Sequence, residues 1–177
     1  MRMILAAALA FAPHLALAAG SDDSEPPKPT ETTTECAKGE VWDEKTATCI
    51  KAESNLIDND QRFGAVRELA YAGRPAEAMA MLALMTEGDS ARVLTYQGFL
   101  LRQTGQVEEG IAAYERAIAL DKGNILARSY YGQLLVQMNE TGLAQLQLAA
   151  IRMHGGGGTW AERALSDAIT TGVTYTY

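Results

Sequence analysis

Histidine and cysteine are scarce in this sequence, and their scarcity limits the chemistry that the chain can perform. Only His14, His154, Cys36 and Cys49 are present, and no CxxC spacing occurs. Metal sites need several such ligands close together, and most nucleophilic mechanisms need a histidine base. We therefore expect no metal site, no catalytic residue and no cofactor, and the chain is not predicted to be an enzyme.

Positive charge is also in short supply. The chain has 15 lysine and arginine residues against 22 acidic residues, which gives a formal net charge of −7. An acidic chain of this size repels nucleic acids and anionic lipid surfaces. We therefore expect no nucleic-acid partner, although the charge names no other partner.

The one long apolar run lies at the N-terminus. Arg2 precedes the apolar segment Met3–Ala12, and small residues follow at Ala16 and Ala18. This pattern predicts a secretory signal peptide over residues 1–19, with a retained N-terminal anchor helix as the alternative. Cleavage would remove one basic residue and no acid, which brings the net charge to −8. We expect a periplasmic or secreted protein without a stable membrane anchor after cleavage.

Two small segments follow the predicted signal peptide. Residues 20–35 contain three prolines and no large apolar side chain, so we expect a disordered linker. Residues 36–52 contain two short stretches of β-type composition, around Val41 and Cys49. Cysteine pairs outside the cytoplasm usually oxidise, so we expect an independent hairpin closed by a Cys36–Cys49 disulfide.

The hairpin segment carries a weak family resemblance. Its spacing, Cys-x-x-Gly-x-x-aromatic-Asp and a second Cys after five more residues, spans residues 36–49. This spacing resembles the last hairpin of peritrophin-type chitin-binding domains, although the rest of that six-cysteine domain is missing. The resemblance implies that Trp42 contacts sugar, whereas the alternative is that Trp42 only packs within the hairpin.

An eight-residue segment recurs with a period of 34 residues. Tyr96–Gln103 reads YQGFLLRQ and Tyr130–Gln137 reads YYGQLLVQ, so five of the eight residues are identical. Each copy is followed at the same distance by a residue suited to a tight turn, Gly105 or Asn139. Repetition at this period predicts stacked helix pairs.

The clearest copy, Ala91–Asn124, resembles a tetratricopeptide repeat. Weaker copies on either side extend the resemblance over residues 59–154. The family's small and large helix positions are matched by Gly98, Leu101, Gly110, Tyr114 and Ala117. The resemblance implies an all-α fold of about three tetratricopeptide-like helix pairs within residues 55–172.

The end of the chain predicts a capping helix and a short tail. Gly155–Gly158 ends the third pair, because four glycines do not continue a helix cheaply. Thr159 and Glu162 then form a capping-box pattern at the start of a last helix, which would cover the final repeat. We expect the tail, residues 173–177, to fray, with strand addition to a partner as the alternative.

In tetratricopeptide repeats the first helix of each pair lines a concave groove. Aromatic and arginine residues there would anchor a partner, and we expect Phe99 and Arg102 to face solvent. These features predict an exported adaptor or scaffold that binds a protein or peptide; the alternative is a cell-envelope carbohydrate or peptidoglycan binder that uses the Cys36–Cys49 hairpin. The resemblance places ten residues on the groove: Phe63, Arg67, Tyr71, Arg92, Thr95, Phe99, Arg102, Ser129, Gln133 and Val136.

Overall fold

The computed structural model describes residues 25–175, so the predicted signal peptide lies outside the described residues. The fold is mostly helical with a small hairpin, as the sequence predicts, and no helix in this range is long and apolar enough to cross a membrane. In chain order the elements are α1 Glu31–Thr34, β1 Glu40–Asp43, β2 Thr48–Lys51, α2 Asn59–Tyr71, α3 Pro75–Leu82, α4 Ala91–Gln103, α5 Val107–Leu120, α6 Ile125–Gln137, α7 Thr141–Met153 and α8 Trp160–Thr171.

Helices α2 to α7 form three neighbouring pairs, α2 with α3, α4 with α5 and α6 with α7, and α8 packs against α6 and α7. Two positions beyond the end of the first helix of each pair lies a left-handed residue, Gly73, Gly105 or Asn139. Glycine and asparagine adopt this conformation at least cost. Each turn has the six-residue backbone hydrogen bond of a Schellman motif: Arg74 to Leu69, Gln106 to Leu101 and Glu140 to Leu135. The predicted turns at Gly105 and Asn139 are confirmed.

Helices α4 and α5 approach each other most closely where two glycines meet. A Cβ atom on Gly98 would lie 2.8 Å from ring carbons of Tyr114 and 3.0 Å from the carbonyl oxygen of Gly110. A Cβ atom on Gly110 would in turn lie 3.2 Å from the carbonyl oxygen of Gly98. The predicted close contact at Gly98 is confirmed, and the ring of Tyr114 fills the space that the glycine leaves.

A single added methyl group tests this contact. Gly98→Ala should lower the free energy of unfolding by about 1–3 kcal/mol, because the new Cβ overpacks the contact with Tyr114. Gly142→Ala is the matched control, since a Cβ on that helical glycine meets nothing within 4 Å. Alanine is favoured over glycine in a helix by about 1 kcal/mol, so the control should be neutral or stabilising. Equal stabilisation of both variants in thermal unfolding by circular dichroism would contradict the close approach.

The disulfide hairpin is joined to the helices and is not independent. Strands β1 and β2 pair antiparallel, and Cys36 and Cys49 form the predicted disulfide with their Cα atoms 5.5 Å apart. Val41 and Ala52 belong to the same buried core as residues of α2. In addition, Arg62 of α2 donates to the carbonyl oxygen of Ala52 at 2.9 Å. The expectation of a separate hairpin is therefore wrong, because the hairpin's inner side is apolar and packs on α2.

The last residues of the predicted disordered linker are folded as well. Helix α1 lies against α2, where Glu68 is 6% exposed and directs its carboxylate at α1. That carboxylate accepts hydrogen bonds from the backbone and hydroxyl groups of both Thr30 and Thr33, at 2.5–3.2 Å. The prediction of disorder is wrong for this part of the linker, because polar threonines are ordered here by a buried carboxylate and not by apolar burial.

Removal of the disulfide should therefore destabilise the helices. Replacing Cys36 and Cys49 together by serine should lower the free energy of unfolding by about 3 kcal/mol, the chain-entropy value for a loop of this length. The midpoint of the helical transition should fall, because the hairpin shares its core with α2. Reduction of the wild-type chain before thermal unfolding should give the same shift. A helical transition that keeps its midpoint with both thiols free would contradict the shared core.

Candidate functional site

Aromatic rings from the first helix of each pair meet on one side of the structure. Phe63 and Tyr96 pack edge to face with ring centroids 5.3 Å apart, and Phe99 and Tyr130 are 4.6 Å apart. Trp160, at the start of α8, lies 6.4 Å from Tyr130. We call this side the inner face, and its rings are Phe63, Tyr71, Tyr96, Phe99, Tyr130 and Trp160.

A cavity of about 420 Å³ opens at one end of the inner face. The guanidinium of Arg92 lies 4.8 Å from the centroid of the Phe63 ring. Arg92 also donates to the carboxylates of Glu87, at 2.8 Å, and Asp60, at 2.7 Å. These hydrogen bonds from Arg92 hold the pKa of the Glu87 carboxyl below its usual range. The cavity walls combine aromatic, aliphatic, amide, hydroxyl, guanidinium and carboxylate groups: Phe63, Ala91, Arg92, Thr95, Tyr96, Asp121, Gly123, Asn124, Ile125 and Leu126.

Buried polar side chains cross-link the helices beneath the inner face. Arg102 of α4 donates to the carbonyl oxygen of Tyr130 on α6 at 3.2 Å. Ser129 donates to the carbonyl oxygen of Ala161 on α8 at 2.7 Å, and it accepts from Gln133 at 3.4 Å. Buried polar groups need such partners to offset the cost of leaving water. Several polar residues predicted to meet a partner are thus used within the fold.

The structure separates the ten predicted groove residues into two sets. The expectation that Phe99 and Arg102 face solvent is wrong, because they are only 1% and 8% exposed. Half-buried residues at the rim are Arg67, Tyr71 and Arg92. Buried residues are Phe63, Thr95, Phe99, Arg102, Ser129, Gln133 and Val136. These residues are buried because α2 and α8 lie close together over them, with the Tyr71 and Trp160 rings 6.4 Å apart.

Both described ends of the chain also reach the inner face. The carbonyl oxygen of Glu25 accepts from Arg67 at 2.5 Å, and its carboxylate accepts from the backbone of Trp160 at 3.3 Å. Tyr175 packs on Trp160 with ring centroids 6.0 Å apart, and its backbone N–H donates to Gln133 at 3.1 Å. The prediction of a frayed tail is wrong for the described tail residues, because α6 and α8 supply partners for them.

Sequence reasoning missed four aromatic members of this surface. Tyr96 and Tyr130 occupy equivalent places in the 34-residue repeat, so the period itself contained the signal for them. The sequence places Trp160 only within the predicted capping helix. Tyr175 was assigned to a tail, and no pattern along the chain places that tail against α6.

A second cavity, of about 430 Å³, lies between the hairpin and α2. Trp42 lines it and is half-buried, and its backbone N–H donates to Thr32 at 3.0 Å. The neighbouring Asp43 accepts from Thr46, and these hydrogen bonds lower the pKa of its carboxyl. The other polar residues that line this second cavity include Lys28, Lys45, Asp58, Gln61 and Arg67.

Between residues 25 and 175, no group of three or more histidine, cysteine or acidic residues is arranged to hold a metal ion. His154 is exposed at the end of α7. Burial raises the pKa of the Tyr114 hydroxyl, which has no hydrogen-bond partner among the described residues. The guanidinium of Arg102 opposes this shift without reaching hydrogen-bond geometry with the hydroxyl.

Two buried tyrosines offer a matched test of whether their hydroxyl groups have hydrogen-bond partners. Tyr114→Phe should leave the free energy of unfolding unchanged or raise it by about 1 kcal/mol, because it removes an unpartnered buried hydroxyl. Tyr130→Phe should lower it by about 1 kcal/mol, since it breaks the 2.9 Å hydroxyl–hydroxyl bond between Tyr130 and Tyr71. Chemical denaturation measures both. Equal losses in the two variants would show that Tyr114 has a partner.

Comparison of the chain with protein-family models, curated proteins and solved structures finds no match. The resemblances to tetratricopeptide repeats and to chitin-binding hairpins therefore stay predictions.

Proposed function

We propose that this protein is an exported adaptor or scaffold of the tetratricopeptide-repeat type, which receives a protein or peptide partner on its inner face. The three Schellman turns support the repeat assignment, because equivalent turn residues recur at spacings of 32 and 34. The contact of Gly98 with Gly110 and Tyr114 agrees with the small and large positions that the family resemblance implies.

The observation that carries the binding proposal is the cavity beside Phe63 and Arg92. Aromatic and arginine side chains are the most frequent anchors of protein interfaces, and here they line a cavity of about 420 Å³. Arg92 is already paired with Glu87 and Asp60. Its positive charge is therefore already compensated. What Arg92 offers a partner is the flat guanidinium group, fixed in position next to an aromatic ring.

Export is supported by two separate features. Residues 1–19 have the charge and apolar pattern of a secretory signal. The Cys36–Cys49 disulfide suits an oxidising compartment. Together they favour a partner that resides in the periplasm or outside the cell.

Two alanine-to-tryptophan variants test the binding cavity. Ala91 lines the cavity at the start of α4, whereas Ala112 is exposed on α5 and lines neither cavity. With the chain from residue 20 onward immobilised against envelope extract, Ala91→Trp should reduce retention of the partner at least tenfold, since the new ring fills the cavity. Loss of one hot-spot contact corresponds to about 1.4 kcal/mol or more. Ala112→Trp should bind like wild type, and circular dichroism should show both variants folded.

Equal retention of every protein by both variants would contradict the proposal. The alternative is a carbohydrate or peptidoglycan binder, favoured by the position of Trp42 in the cavity beside α2. Trp42→Ala separates the two functions in the same experiment. Sedimentation of wild type with chitin or peptidoglycan, and its loss in Trp42→Ala but not in Ala91→Trp, would establish the alternative.

A further inference from the structure

The described tail is held on the inner face by its backbone. Gly172 has a left-handed conformation, with a φ of 74°, and it ends α8. Beyond it, Thr174 accepts from Gln137 at 2.6 Å. The N–H of Tyr175 donates to Gln133 at 3.1 Å, and its carbonyl oxygen accepts from Arg102 at 3.4 Å. Both backbone groups of one residue are therefore bound by side chains from two different helices.

The two side chains that bind Tyr175 are themselves buried. Gln133 is 0% exposed and Arg102 is 8% exposed, although the tail residue that they contact is 42% exposed. A buried amide oxygen and guanidinium are costly to leave without partners. An acceptor and a donor placed in this way match an extended peptide backbone, whatever chain supplies it.

The side chain of Tyr175 adds a second form of recognition. Its ring packs on Trp160 and remains 42% exposed, so the contact covers only part of the ring. Aromatic pairs at this separation contribute beyond simple area burial. The position therefore favours an aromatic residue in any segment that the backbone groups hold.

We propose that the inner face recognises an extended peptide segment with an aromatic residue at the place of Tyr175, and that the chain's own tail occupies this place until such a partner displaces it. This inference rests on the proposed function and names the chemistry of the partner. A binding site that is filled by the chain's own tail is available only for the fraction of time that the tail is away. The apparent affinity for a partner is therefore the intrinsic affinity multiplied by that fraction.

The test uses a labelled peptide with the sequence of residues 171–177 as the probe. Fluorescence anisotropy measures its binding to the chain from residue 20 onward. Tyr175→Pro in the protein removes both the N–H that Gln133 binds and the ring, so it should vacate the site. The peptide should bind this variant about tenfold more tightly than wild type. Val173→Ala is the matched control, because Val173 is 70% exposed, and it should bind like wild type.

The specificity of the site is tested in the Tyr175→Pro background. A peptide with alanine at the position of Tyr175 should bind at least tenfold more weakly than the tyrosine peptide. Gln133→Leu should also abolish tight binding, because it removes the amide oxygen that accepts from the backbone N–H of residue 175. Since this variant also loses the hydrogen bond from Gln133 to Ser129, circular dichroism must show that it is folded at the temperature of the binding measurement. Retained binding in either case would overturn the assignment of that contact.

Failure of this inference can be told apart from failure of the proposed function. Equal affinity of the peptide for wild type and Tyr175→Pro, or no binding to either, would overturn the role of the tail. The comparison of Ala91→Trp with Ala112→Trp uses envelope proteins and a different cavity, so it can still succeed in that event. Stronger retention of the same envelope partner by Tyr175→Pro would support both proposals together.

Discussion

The close approach of α4 and α5 at Gly98 and Gly110 fixes which side of α4 is left to face the other helices. With no side chain at either position, the backbones meet and the ring of Tyr114 fills the space beside them. Neighbouring helix residues point about 100° apart. Once Gly98 faces α5, Phe99 points away from α5, where the rings of Tyr71 on α2 and Tyr130 on α6 pack on it. The position of Phe99 on the inner face is thus a consequence of the packing of α4 on α5.

The inner face combines two demands that usually conflict. Its rings are buried and stabilise the array, yet the same surface contains the cavity beside Arg92 and the polar groups that hold Tyr175. Polar groups in such a place are tolerated only when they have partners. Ser129 and Gln133 meet this condition across α6 and α8, so the polar network holds the capping helix in place as well as the tail.

The local architecture was predictable from the sequence, whereas the closure of the inner face was not. The repeat at 34 residues located the turns at Gly105 and Asn139, and the glycine positions located the helix contact, because both depend on residues near each other in the chain. The burial of Phe99 and Arg102 depends on α8 and the tail, which lie many residues away. No local sequence pattern indicates that the rings of Tyr71 and Trp160 lie close together. The same limit explains the folded end of the linker, where the decisive residue, Glu68, is 38 positions from Thr30.

The packing of the disulfide hairpin on α2 has a consequence for assembly. A stack of helix pairs has two terminal surfaces, and each of them can add another pair unless something covers it. Here the hairpin, joined to α2 through a shared apolar core and through Arg62, lies on the first surface, and α8 lies on the last. A further helix pair could therefore not stack on either surface without displacing an element that is already packed there.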